Sequence, residues 1–393
     1  MSRTLGRLPS TLDANPWAAR VAARRAAGGT LLDLTISNPT QVGLTLAGPE
    51  TLSALAHPRA AEDRPDPRGL PSAREAVAAY YGARGTPVDA SAIVLTSGTS
   101  ESYAHLFRLL ADPGDVVVVP APGYPLIEPI ARLEGLDVAS YRLRWDGAWH
   151  LDLGSLDQAL DEAGARARAL VVIEPHHPTG SCLSPQDRDA LESRLVARGV
   201  ALISDEVFAD FPWPPRVEGF TGWLGTRRVP TFVLGGLSKC CGLPQMKLGW
   251  IALAGPPEVL IASLERLEWI ADLFLTVGGP VQHALPSLLD RRGSFQERVR
   301  ERLRANRASL SAFMSAHPEV ESLGGEGGWS VVLRLPSAMV DDWALALLER
   351  DVIVHPGHFY DLEHEGAIVL SLIPTTKTFV AGIQGIGEVL SAF

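Results

Sequence analysis

Thr231-Phe232-Val233-Leu234-Gly235-Gly236-Leu237-Ser238-Lys239 is the stretch that orients the reading of this chain. It opens as an apolar, β-rich run, loosens through two glycines and ends on one of only three lysines, the others being Lys247 and Lys377. A continuous apolar run, rather than an alternating one, is what a strand covered on both faces looks like. Arginine supplies the remaining basic charge, yet a guanidinium keeps its proton in a protein. A partly desolvated ammonium can lose its proton, and only a neutral amine attacks a carbonyl to form a Schiff base. Lys239, at the end of a buried strand, is therefore a candidate nucleophile. Arginine-rich codon usage would also make lysine scarce, so the assignment depends on what surrounds it.

Outward from this stretch the same pattern repeats. Ile93-Val94-Leu95, Val116 to Val119, Leu170 to Ile173, Val200 to Ile203 and Leu248 to Leu253 are further apolar runs. Between them lie helical segments at Ser100 to Leu110, Pro125 to Leu133 and Pro185 to Arg198, the last with Ser184 as cap and Pro185 at the first helical position. Strands alternating with helices predict an α/β fold whose mostly parallel sheet is covered by helices. Helical pattern dominates from Pro257 to about Met314. A last α+β stretch predicts strands near Ser330 to Leu335 and Ile368 to Leu372, with helices near Asp341 to Arg350 and Phe379 to Leu390. The first 30 or so residues are rich in Ala and Arg, and are expected to pack with the C-terminal third.

Bulk properties narrow the function. A chain of 393 residues, with net charge -10 and a pI near 5.5, shows no basic stripe for nucleic acid or for an anionic membrane surface. Met1 to Arg7 has no apolar signal core behind it, and no apolar run approaches the ~20 residues that span a bilayer. Three cysteines, Cys182, Cys240 and Cys241, make no disulfide framework. A soluble, cytoplasmic protein is expected.

Four polar segments fall at strand ends: Thr96 to Ser100, His176 to Gly180, Ser204 to Phe208, and Ser238-Lys239 with Lys247 eight residues on. In open α/β sheets, ligands sit beyond the carboxyl ends of the strands, so these segments can line one site. Ser97-Gly98-Thr99-Ser100 joins a strand to a helix start, where free amides and the helix dipole favour a phosphate. Asp205 would be a partly buried carboxylate in need of a cationic partner. Taken singly, a Ser/Thr/Gly turn is usually a helix cap and an Asp-Glu after a strand is usually a loop.

Together the segments resemble the aminotransferase class I and II family, fold type I of the pyridoxal-phosphate enzymes, from Asp33 to Ser371. The resemblance implies a large domain, residues 44–290, with a mostly parallel seven-stranded sheet, and a smaller α+β domain from 1–43 and 291–393. It implies that Lys239 holds pyridoxal 5'-phosphate as a Schiff base and that Asp205 pairs with the pyridine nitrogen. Gly98, Thr99 and Ser100 match the phosphate turn, with Ser238 and Lys247 nearby, and Tyr124 matches the stacking aromatic. His177 falls at the asparagine of an Asn-Pro-Thr-Gly segment, and Phe208 where most relatives carry tyrosine. Ser37, Asn38, Trp329 and His358 are implied to face substrate. A cytoplasmic homodimer that moves an amino group between an amine or amino acid and a keto acid is the expectation. The alternatives are a lyase, decarboxylase or cyclising synthase on the same fold, or a catalytically altered binding protein.

Several residues depart from the family pattern. Phe208 lacks the hydroxyl that donates to the cofactor's phenolic oxygen, a loss that His177 could offset. Lys247 replaces a bidentate arginine with a point charge, and Gly236 lacks a hydroxyl. Val369 stands where an arginine clamps the substrate α-carboxylate, and Asp63 or Arg64 where a tyrosine crosses the dimer. Arg64, Arg68 and Arg334 are the remaining candidate cations. His355 to Phe359, with Glu363, His364 and Glu365, matches no standard zinc spacing, so no metal is expected.

Overall fold

A computed structural model describes residues 15–213, 222–275, 277–336, 342–363 and 366–392. Each apolar run becomes a strand. In chain order the strands are β1 (Leu32–Asp33), β2 (Ile93–Thr96), β3 (Val116–Ala121), β4 (Asp137–Trp145), β5 (Trp149–Leu151), β6 (Ala167–Ile173) and β7 (Ala201–Asp205). They continue as β8 (Thr231–Gly236), β9 (Gly249–Ala254), β10 (Glu321–Ser322), β11 (Ser330–Arg334), β12 (Val352–Ile353), β13 (His355–Pro356) and β14 (Ala367–Ser371).

The central sheet runs β2-β9-β8-β7-β6-β3-β4-β5. It is parallel from β8 through β4 and antiparallel where β9 meets β2 and β8, and where β5 meets β4. The seven strands expected from the sequence are thus joined by an eighth. Asp137–Trp145 shows no continuous apolar run because only Tyr141 and Leu143 in it are buried, and β5 is its short hairpin partner at the sheet edge.

Alternation within the strands of the central sheet explains why their runs are apolar throughout. Val94, Val117, Val171, Ile203, Phe232 and Ile251 pack on one face against Leu106, Phe107 and Leu267 of helices Thr99–Leu110 and Pro257–Phe274. Leu95, Val118, Leu170, Leu202, Val233 and Ala252 face the other way, towards Val77, Leu156, Leu191 and Leu288 on four further helices. Both faces are covered, and the few polar side chains in these strands, such as Thr96, Ser204 and Thr231, are buried with hydrogen-bond partners. Gly235 and Gly236 are glycines for a steric reason: an added Cβ at Gly235 would meet Trp250 Nε1 at 2.5 Å, and one at Gly236 would meet Gly249 Cα at 3.1 Å.

The C-terminal segment builds an antiparallel sheet, β10-β11-β14-β13, in which Ser330 pairs with Ser371 and Val332 with Val369. The N-terminal segment packs with the C-terminal one through a separate two-stranded sheet, β1 parallel to β12, and through Arg24 Nε, 2.7 Å from Asp351 Oδ1. Helix Pro185–Arg198 falls as the sequence predicts, Ser184 Oγ accepting from Asp187 N at 3.0 Å. Helix Thr376–Leu390 begins three residues ahead of its expected start because the Thr375 side chain caps it. His364, Glu365 and Asp341 lie outside the described residues. Among the described residues no helix is long and apolar enough to cross a membrane.

Candidate active site

The carboxyl ends of the parallel strands open into a cavity of about 150 Å³. Strand β7 delivers Asp205 there at its last residue, and β8 passes through Gly236 into a single helical turn, Leu237–Cys240, that presents Ser238 and Lys239. Beyond β2, Gly98 has a φ of 152° and turns the chain into helix Thr99–Leu110, whose first amides therefore face the cavity with Thr99. Tyr124 follows β3, and His177 follows β6.

Lys239 is partly buried between two rings, with Nζ 5.1 Å from the centroid of Trp329 and 5.4 Å from that of Phe208. Its nearest polar contact is a long one, 3.5 Å to the Ser37 carbonyl. Burial lowers its pKa to about 8, with Asp205 acting in the opposite direction. Asp205 is buried and held by neutral donors only: the Tyr103 hydroxyl at 3.1 Å and the Val207 amide at 3.2 Å. Without an adjacent guanidinium, burial pushes its carboxyl up to about 6.

His177 sits in an aromatic cage of Tyr124, Phe208 and Tyr360, at centroid distances of 6.0, 5.9 and 5.4 Å. Its Nδ1 lies 3.1 Å from Ser330 Oγ. Burial first, then the Lys239 charge, pushes its pKa down to about 3, so the ring is neutral at physiological pH. The segment bearing His177 is tied at both ends by Glu174. That carboxylate accepts the Leu183 amide at 2.7 Å, Arg188 Nη2 at 2.6 Å and Trp223 Nε1 at 2.5 Å, all out of water.

Of the residues singled out from sequence, Lys239, Asp205, Gly98, Thr99, Tyr124, His177, Phe208, Ser238, Ser37 and Trp329 line this one cavity. Four do not. Ser100 is exposed, one position further round the helix. Lys247, with a left-handed φ of 48°, is exposed in a neighbouring groove beside Ser97, Met246 and Phe274. Asn38 caps the turn Pro39–Val42, accepting from Thr40 N, and His358 is exposed in a groove near Trp343. The candidate cations are also committed elsewhere: Arg64 to Glu62, Arg68 to Glu268 and Arg334 to Glu321. Sequence reasoning passed over Tyr103, Ser330, Ser371, Ile173, Val207 and Leu248. Tyr103, one helical turn beyond Thr99, was open to discovery from helical spacing; the pairing of Ser330 with Ser371 was not. Among the described residues no group of three His, Cys, Asp or Glu is arranged to hold a metal.

In this helix-covered α/β protein, a Lys and a buried Asp at the ends of neighbouring parallel strands share one cavity with the start of a helix. Residues 31–377 match the model of the family "Aminotransferase class I and II", and the chain belongs to that family. It is 29% identical over 311 residues to human tyrosine aminotransferase, covering 76% of this chain and 66% of that one. It is 26% identical over 381 residues to alanine aminotransferase of Mycobacterium tuberculosis, covering 94% and 87%. The tyrosine aminotransferases are thus matched over just under two thirds of their length. In fold it resembles alanine aminotransferase from Pyrococcus furiosus, with a TM-score of 0.84, 19% identity and coverage of 97% and 100%. An aminotransferase from Escherichia coli gives 0.83, 22%, and 96% and 95%.

The residues present fit the family's cofactor, pyridoxal phosphate. A Cβ added at Gly98 would meet nothing within 4 Å, so the glycine leaves open room over the helix amides where a phosphate can sit. Asp205 accepts from Tyr103 and Val207 and makes no salt bridge among the described residues, so its carboxylate could pair with a protonated pyridine nitrogen. Lys239, in the same cavity, would supply the amine.

Proposed function

We propose that the protein is an aminotransferase that uses pyridoxal phosphate, with Lys239 as the nucleophile, to move an amino group between an amine or amino acid and a keto acid. The observation that carries this reading is the meeting of Lys239 and Asp205 in one cavity, each with a pKa displaced by burial towards a working value. Bound there, the cofactor supplies an electron-withdrawing ring that takes up the electron pair left when the substrate carbon loses its proton.

The chain's own residues do the rest. Asp205, ionised against the pyridine nitrogen, keeps that nitrogen protonated. Lys239 Nζ, with a pKa near 8, holds a usable neutral fraction at pH 7 and could take a proton from the substrate carbon and return it to the carbon on the far side of the substrate nitrogen. When the Ser330 hydroxyl donates to His177 Nδ1, the imidazole proton sits on Nε2, a donor in place of the hydroxyl that Phe208 lacks. Gly98 and Thr99 offer backbone amides to phosphate, and Tyr124 offers a ring face. Phe208 and Trp329 keep water from Nζ, which sustains its low pKa.

Borohydride reduction of cofactor-loaded protein, followed by peptide mass analysis, tests the assignment. A pyridoxyl adduct on Lys239 is expected, absent in Lys239→Ala; the adduct on another lysine would move the nucleophile elsewhere.

We further read the active form as a cytoplasmic homodimer, and the chain as divided into 44–290 and a small domain of 1–43 with 291–393. Trp269, Leu273, Phe274 and Leu275 are 50–79% exposed at the end of helix Pro257–Phe274, beside the groove that holds Lys247. A second copy over this apolar run would account for it and would enclose Lys247 next to the phosphate turn. Light scattering should give twice the chain mass, falling to one for Trp269→Asp combined with Leu275→Asp; a monomeric wild type would refute the dimer.

A further inference from the structure

The amino donor can be read more narrowly from the charges around the cavity, an inference that rests on the aminotransferase reading above. Lys239 is the one Lys or Arg among the described residues lining it, and Asp205 is already an anion there. Apart from these, the side chains on the wall are hydroxyls, a neutral imidazole and apolar groups. The C-terminal sheet contributes Ser330 and Ser371, which are register partners across β11 and β14. Ser330 also engages His177.

Position 369 shows why this matters. Side chains alternate along β14, so Val369 shares a face with Ser371, whose side chain reaches the cavity two residues on. Ile368 and Leu370 point the other way into the main core. Val369 is 2% exposed and packs with Leu323, Val332 and Tyr360, and Tyr360 in turn stacks edge-on against His177. A long cationic side chain at 369 would therefore extend along the wall of the cavity, where the chain has placed a valine. A carboxylate brought to Ser330 and Ser371 would meet two hydroxyls beside the Trp329 indole and no guanidinium among the described lining residues, and a buried anion without a cation or a full set of donors is unfavourable.

We infer that the donor is a primary amine or amino alcohol without a carboxylate on the reacting carbon, with a neutral hydrogen-bonding group at Ser330 and Ser371 and an apolar body against Phe208 and Trp329. In the balanced half-reaction the amine carbon gives up its hydrogen and two electrons and becomes a carbonyl. The aldehyde carbon of pyridoxal phosphate is reduced by the same two electrons, and nitrogen and oxygen exchange places.

Leucinol and leucine, which differ only in hydroxymethyl against carboxylate, make the test with cofactor-loaded protein. Conversion of the retained cofactor to pyridoxamine phosphate is followed by chromatography, and binding of the amine-free analogues isohexanol and isocaproate by calorimetry. The wild type should process leucinol with kcat/KM at least about tenfold above leucine, because an unpaired polar group in a closed pocket is discriminated that strongly. It should also bind isohexanol more tightly than isocaproate, and Val369→Arg should reverse both preferences. Equal or better use of leucine by the wild type, or tighter binding of isocaproate, overturns the inference. If no donor changes the cofactor, the aminotransferase reading fails while analogue binding still decides this one. If Val369→Arg does not fold, the wild-type ratios decide alone.

Discussion

Asp205 offers a prediction in which stability and function oppose each other. In the cofactor-free protein its carboxylate is buried with two neutral donors, Tyr103 and Val207, and no cation. Its pKa is about 6 against an ordinary 3.8, and the sign follows directly: the folded state prefers the protonated form, so the ionised form costs stability. That cost is absent well below pH 4, grows as pH rises towards 6 and is constant above it. A displacement of roughly two pKa units corresponds to about 3 kcal/mol. Asp205→Asn removes the charge at nearly constant shape. The amide oxygen can still accept from Val207 N, and the Tyr103 hydroxyl can turn to accept from the new NH₂, so little of the gain is lost to a broken bond. Urea unfolding of the cofactor-free proteins, followed by tryptophan fluorescence, is the assay. Asp205→Asn should be more stable than wild type by up to about 3 kcal/mol at pH 8, with the difference shrinking towards zero near pH 4. The same variant should lose conversion of cofactor by amines, since a neutral amide cannot hold the pyridine nitrogen protonated. An unchanged or lower stability at pH 8, or a difference that does not vary with pH, would show that Asp205 is not a strained acid awaiting a cation.

Two further predictions concern Lys239 and the support beneath His177. Labelling of Lys239 in cofactor-free protein by an amine-specific acylating reagent, quantified by peptide mass, should rise with pH about a midpoint near 8, as its burial-lowered pKa requires; a midpoint near 10.5 would mean that the amine is fully solvated. Arg188→Met leaves the buried Glu174 with only Leu183 N and Trp223 Nε1 and should destabilise the protein by about 3–5 kcal/mol at pH 8. Burial already pushes the Glu174 carboxyl up, and loss of Arg188 raises it further, so the deficit should narrow as pH falls and that group protonates. Thermal melts at pH 5 and pH 8 check the trend, and an equal loss at both would assign the cost to packing against Trp223 instead.

How much of this was legible in the sequence depended on whether the cause lay along the chain or across it. The run ending in Lys239 reads as a buried strand because both of its faces are dry, and the same is true of the runs ending near Thr96, Ile173 and Asp205. By contrast, β4 carries Asp137, Ser140 and Arg142 within its nine residues, because much of it stands at the exposed side of the sheet. Its pairing with β3 and β5 makes it a strand, and pairing is not written in the segment itself.

The same division runs through the site. Lys239, Asp205, Gly98 and Tyr124 reach the cavity because each lies at or just beyond the carboxyl end of a strand of the central sheet, so strand order alone brings them together. Lys247 follows no such strand end: a left-handed residue before β9 leaves it exposed in the next groove, and a motif position could not reveal that. Ser330, Ser371 and Val369 depend on the register of β11 against β14, where a slip of one residue would exchange Ser371 for Leu370 on the cavity face. Residues that would hold a cofactor are thus set by topology, which the apolar runs encode locally. Those that would choose a substrate are set by register and side-chain direction, which emerge only when distant strands meet, and a different side chain at such a position, Val369 among them, would leave in place the strand order that carries Lys239.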